Sequence, residues 1–238
     1  MQIVYRISNN SYKKERLPVA TKEYCLKDFI EKVVTSDDFM TIIADSVDDD
    51  LGAYISQFQS NNIKIIPITA RSNGASFRFQ LEYVRSFKLD EIVMFQEDDY
   101  IYKTPSWPYG RSVKYHEMIE RALKFADYIS LYDHPDKYLP PKAGGNKFIS
   151  PEGIESTAVF CTADSHWKYT NSTTCTFAAR AQTILQDTKI WYEFCKTDHP
   201  YDFQAFLALG CKGRKLATPI PGRATHADIG WVSPFFLP

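Results

Sequence analysis

Three consecutive carboxylates, Glu97-Asp98-Asp99, follow an apolar segment at residues 92–95 after a single glutamine. Such a segment is typical of a buried strand, and adjacent carboxylates at its end repel one another unless a cation, protons or water offset their charge. Mg²⁺ or Mn²⁺ suits this role because hard cations prefer carboxylate oxygens. Side chains two apart in a strand point the same way, so Glu97 and Asp99 are predicted to share a metal. The alternative is a solvated turn.

Strands and helices alternate along the first part of the chain. Four short apolar segments, each typical of a buried strand, lie at residues 3–7, 41–44, 63–68 and 91–95. Segments with helical spacing of apolar residues separate them. This alternation predicts a doubly wound α/β fold with a mostly parallel central sheet flanked by helices. Ligands of such sheets bind at the carboxyl ends of the strands, where polar residues follow here.

The second part of the chain has a looser pattern. Helices are predicted over 116–126, 175–185 and 201–209, and strands over 128–132, 157–162 and 216–220. Gly210 suits a C-cap for the last helix. Residues 134–153 are rich in Pro, Gly and Lys, which predicts a surface loop able to cover a ligand. Trp167 could stack on a sugar face, or it could belong to the core.

Bulk composition excludes some classes of protein. The 238 residues carry a net charge of −1, so no basic character suggests nucleic acid as a partner. The five cysteines are scattered without a C-x-x-C pair, which argues against a disulfide framework or zinc site and predicts reduced core residues. The N-terminus does not resemble a signal peptide, and no apolar segment reaches transmembrane length. A cytoplasmic protein without a membrane span is expected.

Three segments, in order, resemble the nucleotide-binding half of GT-A-fold glycosyltransferases. They are Ile42-Ile43-Ala44-Asp45-Ser46-Val47-Asp48-Asp49, Asn73-Gly74-Ala75-Ser76 and Phe95-Gln96-Glu97-Asp98-Asp99-Tyr100. The likeness is greatest to the family-2-like branch, of the small kind found in bacteria and large DNA viruses. The last segment resembles the D-x-D metal motif, with Glu97 in place of the first Asp. The Asn73-Gly74 pair lacks the residue that usually separates Asn from Gly.

The resemblance implies a single GT-A domain over 1–238, with a nucleotide-sugar-binding half at 1–103 and an acceptor-binding half at 104–238. It implies a nucleotide-diphosphate sugar donor such as a UDP-sugar, a carbohydrate or glycoprotein acceptor, and Mn²⁺ or Mg²⁺ on the diphosphate. The residues it places around the donor are Arg6, Ser8, Asp45, Arg71, Asn73 and Asp98. Of these, Asp98 would touch sugar or ribose, and Arg71 a phosphate or the base.

Two features of the second half fit this resemblance. His226 resembles a late histidine that some GT-A enzymes add as a metal or diphosphate ligand; a structural histidine is the alternative. Asp202, or else Asp198, lies where inverting members carry the base that deprotonates the acceptor hydroxyl. Capping of the following helix is the alternative for both. The sequence leaves the choice between inverting and retaining chemistry open.

Two other functions stay open. A sugar-nucleotide nucleotidyltransferase also uses a metal and phosphates, but such enzymes usually carry a Gly-rich loop after the first strand. The segment Ser8-Asn9-Asn10-Ser11-Tyr12 has no glycine. A non-catalytic nucleotide- or carbohydrate-binding domain of this fold is the other possibility, and the intact acidic cluster counts against it.

Overall fold

The structure is a computed structural model that describes residues 1–10, 15–104, 113–148, 151–152, 155–234 and 236. Strands and helices alternate in the first part, as predicted. Its elements are β1 (Gln2–Ser8), α1 (Lys22–Lys32), β2 (Phe39–Asp45), α2 (Asp49–Ser56), β3 (Ile63–Ile68), α3 (Asn73–Tyr83) and β4 (Ile92–Glu97). Each helix has a side-chain N-cap, from Thr21, Asp48 and Ser72 in turn, which satisfies a backbone N–H left open in the first turn.

The remaining elements are shorter. The strands are β5 (Tyr100–Tyr102), β6 (Tyr128–Ile129), β7 (Val159–Cys161), β8 (His166–Thr170), β9 (Phe177–Arg180), β10 (Leu216–Ile220) and β11 (Ala224–His226). The helices are α4 (Tyr115–Ala122), α5 (Ala181–Gln186), α6 (Thr188–Phe194) and α7 (Asp202–Cys211). No helix in the described part of the chain combines the length and apolar character needed to span a bilayer.

One large sheet and one small sheet organise these strands. Among the described residues the large sheet has nine strands, in the order β3-β2-β1-β4-β9-β6-β10-β8-β7. Strands β8 and β9 run against their neighbours, and all other strands share one direction, so the sheet is mostly parallel. The small sheet pairs β5 with β11 in antiparallel fashion. The predicted fold class is confirmed.

The helix predicted over 175–185 is wrong in its first part, where the structure has strand β9. Phe177–Arg180 lies between β4 and β6, where Phe95 pairs with Phe177 and Tyr128 with Ala179. The strand is buried on both faces, and burial between two strands overrides the helical preference of its alanines. The helix begins only after it. Gly210 was also wrongly predicted as the C-cap; it lies inside α7, and Gly213 takes the left-handed conformation instead.

The large sheet separates two hydrophobic clusters, and α3 covers one of its faces. On that face Val4, Ile43 and Phe95 pack with Phe77 and other residues of α3. Side chains of a strand alternate between faces. Arg6, Asp45 and Glu97, two residues further along β1, β2 and β4, therefore share the α3 face at the carboxyl edge of the sheet.

Candidate active site

A small cavity of about 100 Å³ lies at the carboxyl edge, beside β1 and β4. It is lined by groups from distant parts of the chain: Arg6, Arg16, Asn73, Glu97, Asp98, Asp99, Thr174, Cys175, His199, Pro200, Asp202 and His226. A wider cleft of about 170 Å³ adjoins it and shares Arg6 and Asn73. Together the two cavities contain every residue predicted to bind the donor or the metal or to act as the base, except Ser8.

Arg6 lies between the two cavities and is 5% exposed. Its Nε donates to the Ser76 hydroxyl at 2.8 Å, and its Nη2 donates to Asn73 Oδ1 at 2.6 Å. Its guanidinium also lies 3.6 Å from Asp45 Oδ2 and 3.8 Å from Glu97 Oε1. The planar guanidinium of an arginine carries several N–H donors, so it can contact several partners at once. Arg6 thus joins the ends of β1, β2 and β4 to the first turn of α3.

Gly74 allows a second close approach at the start of α3. Its N–H donates to the Asp198 carbonyl at 2.9 Å. A Cβ at this position would meet the Thr197 carbonyl oxygen at 2.1 Å, which no real side chain tolerates. Only glycine therefore lets the segment before α7 lie against the Asn73-Gly74 turn. This packing brings His199 and Asp202 to the small cavity.

The acidic cluster divides into different environments. Asp98 is 4% exposed, and its Oδ2 accepts hydrogen bonds from the Ser8 N–H at 2.9 Å and the Lys22 ammonium at 2.6 Å. Asp98 thereby ties β1 and α1 to the turn after β4, and Ser8 contributes to that tie through its backbone. Asp99 points toward Arg16 and His226, with distances of 3.9 Å and 3.4 Å from its Oδ2.

His226 reaches Asp99 through the small sheet. In the β5–β11 pairing His226 lies opposite Tyr100, and the Ala227 N–H donates to the Asp99 carbonyl at 2.7 Å. The imidazole Nδ1 accepts the Asp228 N–H at 3.0 Å, which assigns the proton of the neutral ring to Nε2, the nitrogen that faces Asp99. Binding a cation through Nε2 would require the other tautomer and the loss of the Asp228 hydrogen bond.

The two aspartates predicted as candidate bases lie in different cavities. Asp202 is the first residue of α7 and lines the small cavity with Glu97. Its Oδ1 accepts the Phe203 N–H at 2.7 Å. Asp198 lines the wider cleft instead, together with Arg71 and Asp45. Tyr201 precedes α7 without a side-chain cap, so neither aspartate is its N-cap residue.

Asp45 is fixed by its neighbours at the end of β2. Its Oδ1 accepts the Ala70 N–H at 2.9 Å and the Ser46 hydroxyl at 3.1 Å, which joins the ends of β2 and β3. Arg71 is exposed at the rim of the wider cleft, one residue beyond Ala70. Trp167, considered as a sugar platform, is fully buried, so that interpretation is wrong. Its indole donates to Thr162 instead.

The donor types in the small cavity suit a hard divalent cation. Glu97 and Asp99 supply carboxylate oxygens, and His226 supplies an imidazole nitrogen. Within the described residues, however, no three His, Cys, Asp or Glu side chains are close enough together to hold a metal ion. The chemistry of the donor set therefore fits Mn²⁺ or Mg²⁺, while the predicted convergence of the three ligands is not present in this arrangement.

Glu97 has an unfavourable electrostatic environment. Burial raises the pKa of its carboxyl to about 8, and the nearby Asp99 carboxylate adds to the shift. The Arg6 guanidinium opposes it, while Asp202 and Asp98 raise the pKa further by smaller amounts. The environment therefore disfavours the ionised form of Glu97 more than Arg6 favours it, and an added positive group would offset this.

This pKa predicts a pH-dependent stability that Glu97→Gln should remove. Between the ordinary value near 4.5 and about 8, the folded protein binds a proton that the unfolded chain has lost. Its stability therefore falls as pH rises, by at most about 1.4 kcal/mol per pH unit. Urea unfolding at both ends of this window, with a chelator present, should show Glu97→Gln gaining stability relative to wild type at the upper end. Equal slopes for both proteins would contradict the prediction, and the exposed Glu82→Gln is the matched control.

Several site residues carry no clear signal in the sequence. Arg16 and Lys22, which contact Asp99 and Asp98, lie in or near the segment before α1 and belong to no motif. Cys175 and Thr174 line the cavity because β9 brings them there, and β9 was not predicted. Ser76 could have been found, since small residues in the first helical turn after Asn73-Gly74 leave room for a long side chain such as Arg6.

No protein-family model and no curated protein sequence matches the chain. Solved structures do. GalNAc-T7 with UDP, GalNAc and Mn²⁺ matches with a TM-score of 0.60 and 11% identity, over 97% of this chain and 44% of that one. The galactosyltransferase LgtC with donor and acceptor sugar analogues matches with a TM-score of 0.49 and 11% identity, over 92% and 73%. CMP:2-keto-3-deoxy-manno-octonic acid synthetase with CTP matches with a TM-score of 0.48 and 14% identity, over 92% and 91%.

The likeness to GalNAc-T7 covers nearly the whole chain at a TM-score well above those of the other two. Together with the strand order of the mostly parallel sheet, it shows that the chain has the GT-A fold. The chain spans less than half the length of GalNAc-T7.

Proposed function

We propose that the chain is a metal-dependent glycosyltransferase that moves a sugar from a nucleotide-diphosphate sugar to a hydroxyl acceptor. One observation carries the proposal: Glu97, Asp99, His226 and Asp202 come from three places in the sequence to a single cavity at the carboxyl edge of the sheet. Carboxylates crowded beside a buried arginine lower the stability of the fold, so stability alone does not explain them. They are useful where a cation and a charged donor bind.

In the proposed site the donor occupies the wider cleft and its diphosphate reaches the small cavity. Asp45 and Asn73 offer acceptor oxygens to the nucleoside, and Arg71 offers positive charge to a phosphate or the base. Glu97 and Asp99 would hold the cation, with His226 as a third ligand after the tautomer change described above. The bound cation would offset negative charge on the departing diphosphate. UDP-sugars are the first donors to test, because GalNAc-T7, of the same fold, binds UDP and Mn²⁺.

Asp202 is the proposed base. A carboxylate oxygen of Asp202 accepts the proton of the acceptor hydroxyl while that oxygen attacks the anomeric carbon. The bond from that carbon to the diphosphate oxygen breaks, and the nucleoside diphosphate leaves with its electron pair. Asp202 lines the same cavity as Glu97, whereas Asp198 lies on the Arg71 side. We therefore place Asp198 in donor binding. An acceptor of the glycan or glycoprotein class supplies the hydroxyl.

Release of nucleoside diphosphate tests the proposal directly. We expect the wild type to release it from at least one member of a panel of UDP- and GDP-sugars with Mn²⁺ present, and to stop when a chelator is added. Asp99→Ala should lose this metal-dependent release by about 100-fold or more while its circular dichroism stays unchanged. An unchanged rate in Asp99→Ala would contradict the assignment of Asp99 as a metal ligand.

The same assay separates the other functions. Pyrophosphate release from a nucleoside triphosphate and a sugar phosphate would identify a nucleotidyltransferase. Nucleotide binding without turnover of any donor would identify a binding domain. The surface variant Asp50→Ala, outside both cavities on α2, is the matched control and should behave as wild type.

A further inference from the structure

A third cavity lies at the opposite edge of the sheet, at the amino ends of the strands. Its volume is about 460 Å³, larger than either cavity at the carboxyl edge and within the range of small-molecule sites. Sheet residues Gln2, Phe39, Thr41 and Lys64 line it, together with Tyr83 and Phe87 from the end of α3 and beyond. None of these residues belongs to the proposed donor or acceptor site.

Strand alternation explains why the cavity exists. Gln2 pairs with Phe39, and Thr41 pairs with Lys64, so all four side chains share the face that α3 covers. Helix α3 ends at Tyr83, and the chain turns away over Val84–Ser86. Apolar packing beneath the helix therefore stops before the end of the sheet. Phe39 is left 52% exposed in the floor of the cavity.

The walls of the cavity are aromatic and are held in place. The Tyr83 hydroxyl hydrogen-bonds the Thr41 hydroxyl at 3.3 Å, which fixes the ring against β2. Phe87 packs edge-to-face on Tyr83 with ring centroids 5.2 Å apart. Such an aromatic cleft suits a flat apolar group, because aromatic rings pair in offset-stacked or edge-to-face contacts.

The charges around the cleft favour an anion. Lys64 and Lys88 both line it, and neither ammonium forms a salt bridge with any residue that the structure describes. Lys64 lies over the Tyr83 ring at 4.9 Å. The one carboxylate among the described lining residues, Glu91, accepts hydrogen bonds from Gln2 Nε2 at 2.9 Å and the Lys88 N–H at 2.8 Å. Glu91 is therefore engaged within the protein, while both lysines can meet a ligand.

From these contacts we infer that this amino-edge cleft is a second ligand site, which takes a small molecule with a planar aromatic body and one anionic group. The body lies against Phe39 and Tyr83. The carboxylate, sulfonate or phosphate group is bound by Lys64, with Lys88 beside it. The cleft is separate from the carboxyl-edge cavities and independent of the function proposed for them.

Anilinonaphthalene sulfonate is a suitable probe, since it joins a planar aromatic body to one anion and fluoresces when bound. We expect saturable binding to the full chain. Phe39→Ser should weaken it about tenfold, equivalent to about 1.4 kcal/mol. Phe125→Ser, which changes a phenylalanine that is 49% exposed elsewhere, should leave the affinity unchanged. Circular dichroism and thermal unfolding check that the variants remain folded.

A neutral analogue tests the charge requirement. N-phenylnaphthylamine lacks the sulfonate and should bind wild type more weakly than the sulfonate does. Lys64→Gln should remove this difference, whereas Lys27→Gln, at a lysine on α1 that is 59% exposed, should keep it. Three results would each overturn the inference. They are equal binding of the probe to Phe39→Ser and wild type, displacement of the probe by UDP, and sedimentation of the protein as a dimer whose interface covers Phe39.

Discussion

Asp202→Asn is expected to lower the rate of sugar transfer by about two to four orders of magnitude while leaving donor binding intact. Asparagine has the shape of aspartate and can keep the hydrogen bond from the Phe203 N–H. It cannot accept the proton of the acceptor hydroxyl. The turnover number at saturating donor and acceptor should therefore fall, and the dissociation constant of the nucleoside diphosphate should stay constant by calorimetry.

Asp198→Asn is the matched comparison, because Asp198 is four residues away and lines the other cavity. We expect this variant to raise the KM for donor and to keep most of the turnover number. If Asp202→Asn retained full activity, Asp202 would not be the base. A large loss of turnover in Asp198→Asn alone would reverse the two assignments.

Arg6→Met is expected to lower the free energy of unfolding by about 3–5 kcal/mol, which is the usual effect of removing one partner of a buried ion pair. The substitution leaves Asp45 and Glu97 without the guanidinium that lies 3.6 Å and 3.8 Å from them. It also removes the donors to Ser76 and Asn73. Urea denaturation at neutral pH measures the loss.

Arg85→Met is the control for that experiment. Arg85 pairs with Glu82 on the surface, where such pairs contribute roughly 0–1 kcal/mol. Arg6→Lys should recover little of the stability, since one ammonium cannot reproduce the fork that joins β1 to α3. A loss of under about 1 kcal/mol in Arg6→Met would show that the stability of the site does not depend on the Arg6 guanidinium.

The sequence predicts the first part of the fold well for a physical reason. In β1 to β4 each strand is a short apolar segment, and the helix between two strands has its own cap and periodicity. Local signals there agree with the tertiary structure. The carboxyl ends of those strands can then be located from the sequence alone, and the placement of Arg6, Asp45 and Glu97 at one edge follows from strand alternation.

The other half could not be predicted in the same way because its geometry depends on long-range pairing. Phe177–Arg180 becomes a strand only between β4 and β6. Cys161 and Cys211, expected in the core, are exposed, whereas the other three cysteines are buried. The contact of His226 with Asp99 depends on the register of β5 with β11, which no local pattern specifies.

The pairing of β5 with β11 also bears on how the protein folds. It joins Tyr102 to Ala224 and so closes a loop of roughly 120 residues. Closing this loop costs chain entropy before any of the contacts that it allows can form. In the first part of the chain β2 pairs with β1 and β3, its neighbours in sequence, and β4 alone returns over a long separation, to β1. We expect compact early states to contain Arg6 and Asp45 in place while His226 is still absent from Asp99. The carboxyl edge would then be completed in one of the last steps of folding.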